Sequence, residues 1–176
     1  MTSLAANGGI IVRIPDKPTS LAERYSDRTP TALGLTWVDG VENGGLSVLD
    51  YRVNFAELGA SYTVFQSGIV TQSFVVTGLT SGKTYKFKVE ARNSHGYSAY
   101  SDEVTLLAAF KPEAPTTVTT AISGPHVIIQ WSEPINNGSP ITGYKIFIVE
   151  HNSAIFTQEN IECDGNSSGV ISNRQC

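Results

Sequence analysis

The sequence holds little of what a catalyst, a nucleic-acid binder or a membrane span requires. Lys and Arg together number 12 against 16 Asp and Glu, a formal charge of −4 with the cations scattered. That leaves no basic footprint for a phosphate backbone and no polybasic segment for an anionic membrane. No run of about 18 apolar residues occurs, and the N-terminus lacks a charged stretch followed by an apolar one, so neither a membrane span nor a signal peptide is legible. Gly-x-Ser-x-Gly is absent, no glycine loop follows a strand to cradle phosphate, and no His-x-His or Cys-x-x-Cys spacing gathers a metal. No catalytic, cofactor-binding or metal-ligating residue is therefore expected. Helical stripes with caps are missing too, so the chain is expected to be all-β, without helices. At 176 residues and 40% hydrophobic, it is long enough to bury one or two cores.

What is present is alternation. Tyr85, Phe87, Val89 and Ala91 share one side of a strand and Lys86, Lys88, Glu90 and Arg92 the other, the latter side expected to face solvent. Ahead of them stands Leu79, followed by the turn cluster Thr80-Ser81-Gly82-Lys83. Strands are expected near 20–25, 31–38 (Leu33, Leu35, Trp37 inward), 48–56 (Tyr51, Val53, Phe55 inward), 61–66, 71–77 (Phe74, Val76 inward), 84–92 and 102–108.

The pattern then restarts. Pro112-Glu113-Ala114-Pro115 repeats Pro15 to Pro18 at a spacing of 97, Trp131 follows Trp37 by 94, Asn137-Gly138 follows Asn43-Gly44 by 94, and Tyr144 follows Tyr51 by 93. These read as tandem copies of one module. In the second copy Val127, Ile129 and Trp131 are expected inward, as are Tyr144, Ile146 and Ile148.

Proline at the module start, Trp in the second strand, an Asn-Gly turn, Tyr in the third, the stretch from Leu79 to Asn93 and the run Gly96-Tyr97-Ser98-Ala99-Tyr100-Ser101 together resemble the fibronectin type III module. The resemblance implies a seven-stranded, Greek-key antiparallel sandwich of immunoglobulin-like type, with no catalytic apparatus. It also implies a tyrosine corner, in which the Tyr85 hydroxyl ties back to nearby backbone. Residues 15–110 form the first module and 111–176 a second one, incomplete at its C-terminus because nothing matches Leu79 to Ser101. Residues 1–14 read as the end of a preceding module or a linker strand. A fragment of a longer array is one reading of this arrangement. Strand exchange is the other, with residues 9–14 of one copy completing the sheet of a second.

Cys163 and Cys176, 13 residues apart, could close a loop worth roughly 3 kcal/mol. A disulfide would imply an oxidising compartment, and the alternative is two free thiols in a cytosolic protein. Asn166 and Asn137 head Asn-x-Ser sequons, although Pro140 follows the second.

Several residues invite a functional role beside a plainer one. His95, His126 and His151 are expected in loops or at strand ends. Asp39, Glu42 and Asp50 gather after Trp37 without the ligand ladder of a calcium loop. Lys83, Lys86, Lys88 and Arg92, with Arg52 nearby, are either a polyanion patch or a solvated face. Arg52 and Asn54 are expected outward in the first module, where the second has the apolar Phe147 and Val149, a candidate contact surface. The Gly96 to Ser101 run resembles the aromatic-Ser motif of cytokine receptors, in which aromatics stack on neighbouring cations. Phe110, in a short proline-bearing linker, is the candidate for seating one module on the next. The expected function is a non-catalytic structural or adhesive segment of an extracellular or surface tandem-repeat protein, acting as spacer and protein-interaction module. Its expected partners are other proteins or neighbouring modules, with no nucleic acid and no membrane insertion. The alternative is an accessory or receptor ectodomain of a larger enzyme or signalling receptor.

Overall fold

The computed structural model describes residues 11–149 and 153–176. The chain divides into unit 1, Met1–Ala109, and unit 2, Phe110–Cys176. His151 and residues 1–10 of the N-terminal segment lie outside the described residues.

Unit 1 is an antiparallel sandwich. One sheet holds β1 (Thr19–Glu23), β2 (Leu33–Val38) and β5 (Ser73–Val76) in the order β1-β2-β5. The other holds β4 (Thr63–Ile69), β3 (Asp50–Glu57) and β6 (Thr84–Asn93), with β7 (Gly96–Tyr97) and β8 (Val104–Leu107) both on the far edge of β6. The alternating residues meet between the sheets: Leu33, Leu35 and Trp37 against Val53, Phe87 and Val89, all buried. Each such side chain contributes about 1.5–3 kcal/mol by leaving water. The tyrosine corner is present, with the Thr80 N–H donating to the Tyr85 hydroxyl oxygen at 3.0 Å. Trp37 meets Tyr51 edge to face at 5.4 Å.

The expected last strand, 102–108, is β8, and a further short strand that the sequence did not suggest, β7, precedes it; the two pair with opposite ends of β6. Between them serine hydroxyls replace the ladder. Ser98 Oγ accepts from the Ala91 N–H at 3.0 Å and Ser101 Oγ from the Val89 N–H at 2.9 Å. The carbonyls of Ala91 and Val89 take the N–H groups of Ser98 and Ser101. Both faces of the bulge are thus satisfied without a continuous strand.

Asn93, buried at the end of β6, is a hub. Its amide nitrogen donates to the carbonyls of Arg13 (2.7 Å) and Asn43 (2.9 Å), and its oxygen accepts from the N–H groups of His95 and Gly96. Residues 13–16 are drawn onto the same loop, Arg13 N–H bonding Gly44 O and Asp16 N–H bonding Glu42 O.

Unit 2 contains β9 (Val118–Ser123) paired with β10 (His126–Trp131), and β11 (Ile146–Val149) paired with β12 (Phe156–Glu159). It repeats unit 1 bond for bond where it can. Phe110 N–H bonds Asn137 O and Glu113 N–H bonds Ile135 O, as Arg13 and Asp16 do in unit 1, and Trp131 meets Tyr144 edge to face at 5.0 Å. These bonds also correct the turn alignment. The Gly138 N–H caps on Asn136 Oδ1 as Gly45 does on Asn43. Asn136 is therefore the counterpart of Asn43, and Asn137, at φ 52°, stands where Gly44 stands at φ 74°. Asparagine is the residue other than glycine that most readily takes this left-handed backbone.

The expectation of no helices is corrected as well. A 3₁₀ turn occupies Tyr25–Asp27, and α1 (Ser168–Asn173) is a short helix inside the cysteine loop. It is capped by Ser167, whose hydroxyl accepts from the Val170 N–H. At six residues it is too short to show a stripe.

Replacing Tyr85 with Phe removes the corner's acceptor and strands the Thr80 N–H. Urea unfolding should show a loss of about 1–2 kcal/mol with an unchanged far-UV spectrum.

Candidate functional site

Two surfaces stand out, one per unit. On unit 1 the outer side of β6 is expected from alternation to be solvated; its cations keep part of their solvent, but the centre of the face is buried. Glu90 is 5% exposed and Asn54 2%. Glu90 receives two hydrogen bonds from the Arg52 guanidinium at 2.8 and 2.7 Å and one from the Asn54 amide at 2.8 Å. The cause is the register of β3 on β6, which sets Arg52 directly opposite Glu90. Glu90 is thus the buried anion that holds Arg52 on this face. Asp50 does the same for Arg92, accepting from its guanidinium at 2.9 Å.

Tyr97 and Tyr100 of the serine-bearing bulge and Tyr62 ahead of β4 cover this layer. The Arg52 guanidinium lies 3.9 Å from the Tyr97 ring centroid, with that of Arg92 at 5.5 Å. Lys88 sits 4.7 Å from the Tyr62 ring and 5.7 Å from Tyr100, Lys86 lies 5.1 Å from Tyr62, and the two rings stack at 6.5 Å. Such contacts are worth about 0.5–2 kcal/mol each, more as water is excluded. Tyr62 donates to Glu103 at 2.6 Å, and both lysine ammonium groups lie about 4 Å from that carboxylate. The hydrogen bond from Tyr62 holds the Glu103 carboxyl below its ordinary range, and burial together with that bond raises the Tyr62 phenol. Lys83 is separate, paired with Glu57 at 2.8 Å.

The acids that gather after Trp37 in sequence disperse in space. Asp50 binds Arg92, Asp39 accepts from the Tyr51 hydroxyl, and the Glu42 backbone exchanges bonds with Asp16. Among the described residues no three His, Cys, Asp or Glu side chains come together to hold a metal. His95 and His126 are exposed. No helix among the described residues is long and apolar enough to cross a membrane.

On unit 2 the inward residues find no second layer. Ile129, Trp131, Tyr144 and Ile146, with Val118 and Phe147, line a cavity of about 380 Å³. In unit 1 the matching space is filled by Phe87 and Val89 of β6. Val127 and Ile148, expected inward, are exposed, as are Phe147 and Val149. Among the described residues β11 pairs on one edge only, with β12.

Cys163 and Cys176 form a disulfide with Cα atoms 5.3 Å apart. Asn166 is exposed and its amide nitrogen donates to Asp164 at 3.3 Å; the Asn137 amide nitrogen donates to Lys111 O at 2.8 Å and to Glu113 at 3.2 Å. Phe110 belongs to unit 2 and bonds Asn137 through its backbone.

Two outcomes test the unit 1 layer. Arg52→Met leaves Glu90 buried without its cation and should cost about 2–3 kcal/mol in urea unfolding, at or below the range for breaking a buried pair because Arg52 keeps some solvent. Burial, reinforced by Asp39, raises the Tyr51 phenol to about 12. Because the native pKa exceeds the unfolded one, this group's contribution is intact below about pH 10 and is lost as pH rises toward about 12. Calorimetry should show the melting temperature falling across that window, less steeply in Tyr51→Phe.

Comparison with known proteins agrees with this construction. The fibronectin type III domain family matches residues 16–106. A Kelch domain-containing protein of Saccharolobus solfataricus is 36% identical over 84 residues, 47% of this chain and 12% of that protein. Sidekick-1 of Gallus gallus is 28% identical over 130 residues, 70% of this chain and 6% of that protein. Receptor-type tyrosine-protein phosphatase F of Danio rerio is 29% identical over 140 residues, 76% and 7% respectively. The chain thus spans a small part of the length of these relatives. Titin domains A168–A170 share the fold at a TM-score of 0.50 and 24% identity, covering 54% of this chain and 32% of theirs. The module is an interaction fold without catalytic machinery of its own. With its sandwich, its tyrosine corner and this match over more than half its length, the chain belongs to the fibronectin type III family.

Proposed function

We propose that the chain is a structural and adhesive segment of a tandem-repeat protein, working outside the cell or at its surface as spacer and protein-interaction module. Residues 15–110 are one complete module and 111–176 a second, incomplete one, and residues 1–14 belong to a preceding module or linker. The observation that carries the reading is β11. Phe147, Ile148 and Val149 are consecutive and exposed at 52%, 36% and 40%, so both faces of one strand present apolar surface beside an open apolar cavity. Large exposed apolar surface of this kind marks a contact site.

The disulfide supports an oxidising compartment, as does similarity to a protein named receptor-type. Asn166 is the better placed sequon for a glycan, since a sugar on Asn137 would disturb two bonds, to Lys111 O and Glu113, and one on Asn166 only the bond to its near neighbour Asp164. Lys86 and Lys88 enter the reading as supports of the Tyr62 and Tyr100 rings, Tyr100 being the exposed member of that stack. The partner is another protein or another module, and a second copy exchanging strands is one form of it. Arg13, whose N–H and C=O are both engaged within unit 1, would have to give up those bonds to take part in such an exchange.

Light scattering of the 176-residue chain over a wide concentration range should show association. Phe147→Asp/Val149→Asp should remain monomeric with unit 1 unaltered. A wild-type chain that stays a monodisperse monomer throughout counts against this surface.

A further inference from the structure

In unit 1 the outer edge of β2 is covered by β5. The Trp37 N–H donates to Gln72 O at 3.1 Å, and Leu35 stands opposite Phe74. In unit 2 residues Arg174–Cys176 lie along the same edge of β10. The Trp131 N–H donates to Arg174 O at 3.0 Å, and Ile129 exchanges both backbone bonds with Cys176 at 2.8 and 3.0 Å. Counting from the two tryptophans, Cys176 occupies the register of Phe74 and Arg174 that of Gln72.

The two covers are anchored differently. β5 carries Phe74, packed on the core, and the fully buried Val76. The side chains of Arg174 and Gln175 make surface bonds, to Glu133 at 2.8 Å and Gln130 at 2.7 Å, and the Arg174 N–H caps α1 on Val170 O, within the loop that the cysteines close. Arg174 also turns in from α1 through a left-handed backbone at φ 55°, which a non-glycine residue adopts at a cost. Three backbone bonds roughly offset the ordering of three residues and leave no surplus. The remaining tie is Cys176 to Cys163, which is itself buried.

We propose that the Cys163–Cys176 disulfide is a redox-operated clasp on the edge of β10. While it is closed, Arg174–Cys176 serves as a surrogate strand. Reduction consumes two electrons and two protons from a dithiol, which closes to its own disulfide, and leaves two thiols. The segment then departs and uncovers the N–H of Ile129, the N–H of Trp131 and the Ile129 carbonyl. An uncovered strand edge is a template for strand addition, so the clasp decides whether unit 2 offers that edge.

Hydrogen–deuterium exchange of the 176-residue chain, oxidised and in dithiothreitol, tests this. Exchange at the Ile129 and Trp131 amides should accelerate by roughly tenfold or more on reduction. The Trp37 amide in unit 1 and the β9–β10 and β11–β12 pairings should keep their protection. Cys163→Ser/Cys176→Ser, without reductant, should reproduce the reduced pattern, and reoxidation of the wild type should restore the original one. Unchanged exchange at Ile129 and Trp131 overturns the proposal, because the segment then stays bound without its tie. Loss of protection across all of unit 2 also overturns it, since the disulfide is then a global staple.

Discussion

Unit 1 depends on β6 being hydrogen-bonded along both edges and covered on both faces. A strand so placed has no solvated side on which a polar group can rest unpaired, so every residue along it must be either packed or matched. Its inner side meets this with Tyr85, Phe87, Val89 and Ala91, all buried. Its outer side meets it with charge: Glu90 under Arg52 and Asn54, Arg92 on Asp50, and the lysines against Tyr62 and Glu103. Two chemically opposite layers therefore share one strand. The register of β3 on β6 is fixed from both sides at once, because a slip of one residue would bury the lysines and expose the phenylalanine.

Unit 2 is the natural comparison. It keeps the Trp-Tyr edge contact, the capped Asn turn and the docked N-terminal segment, yet its β11 has no strand like β6 beside it among the described residues. The local features survive because each is closed by neighbours in sequence or by one adjacent strand. What is missing is the layer that a distant segment supplies, and a cavity marks its place. The buried indole nitrogens of Trp37 and Trp131 both lack a hydrogen-bond partner among the described residues. This tolerated cost is common to the two copies.

Much of the fold was legible because alternation reports which side of a strand a residue occupies. Leu33, Leu35, Trp37, Val53 and Val76 are buried as that rule expects. Alternation does not report depth, which is why Glu90 and Asn54 look solvated in sequence: the Arg52 side chain lies over Glu90 from the neighbouring strand and is itself covered by the Tyr97 ring. Glu90 had one usable signal, its alignment with Arg52 across two strands, but that needs the register, which no single strand contains. The pairing of residues 96–101 with β6 was hidden for a related reason: Ser98 and Ser101 imitate backbone acceptors, and a serine in sequence looks the same whether it caps a ladder or faces water. The one-residue offset between the Asn turns is invisible in sequence because Asn136 and Asn137 are identical in type and differ only in backbone conformation.

Asn93 carries a mechanical consequence. One buried amide holds both the carbonyl of Arg13 and the loop at Asn43, and it sits at the end of the innermost strand. Tension on the chain ahead of Arg13 therefore meets the end of β6, through the Asn93 amide, before it reaches the outer strand β1.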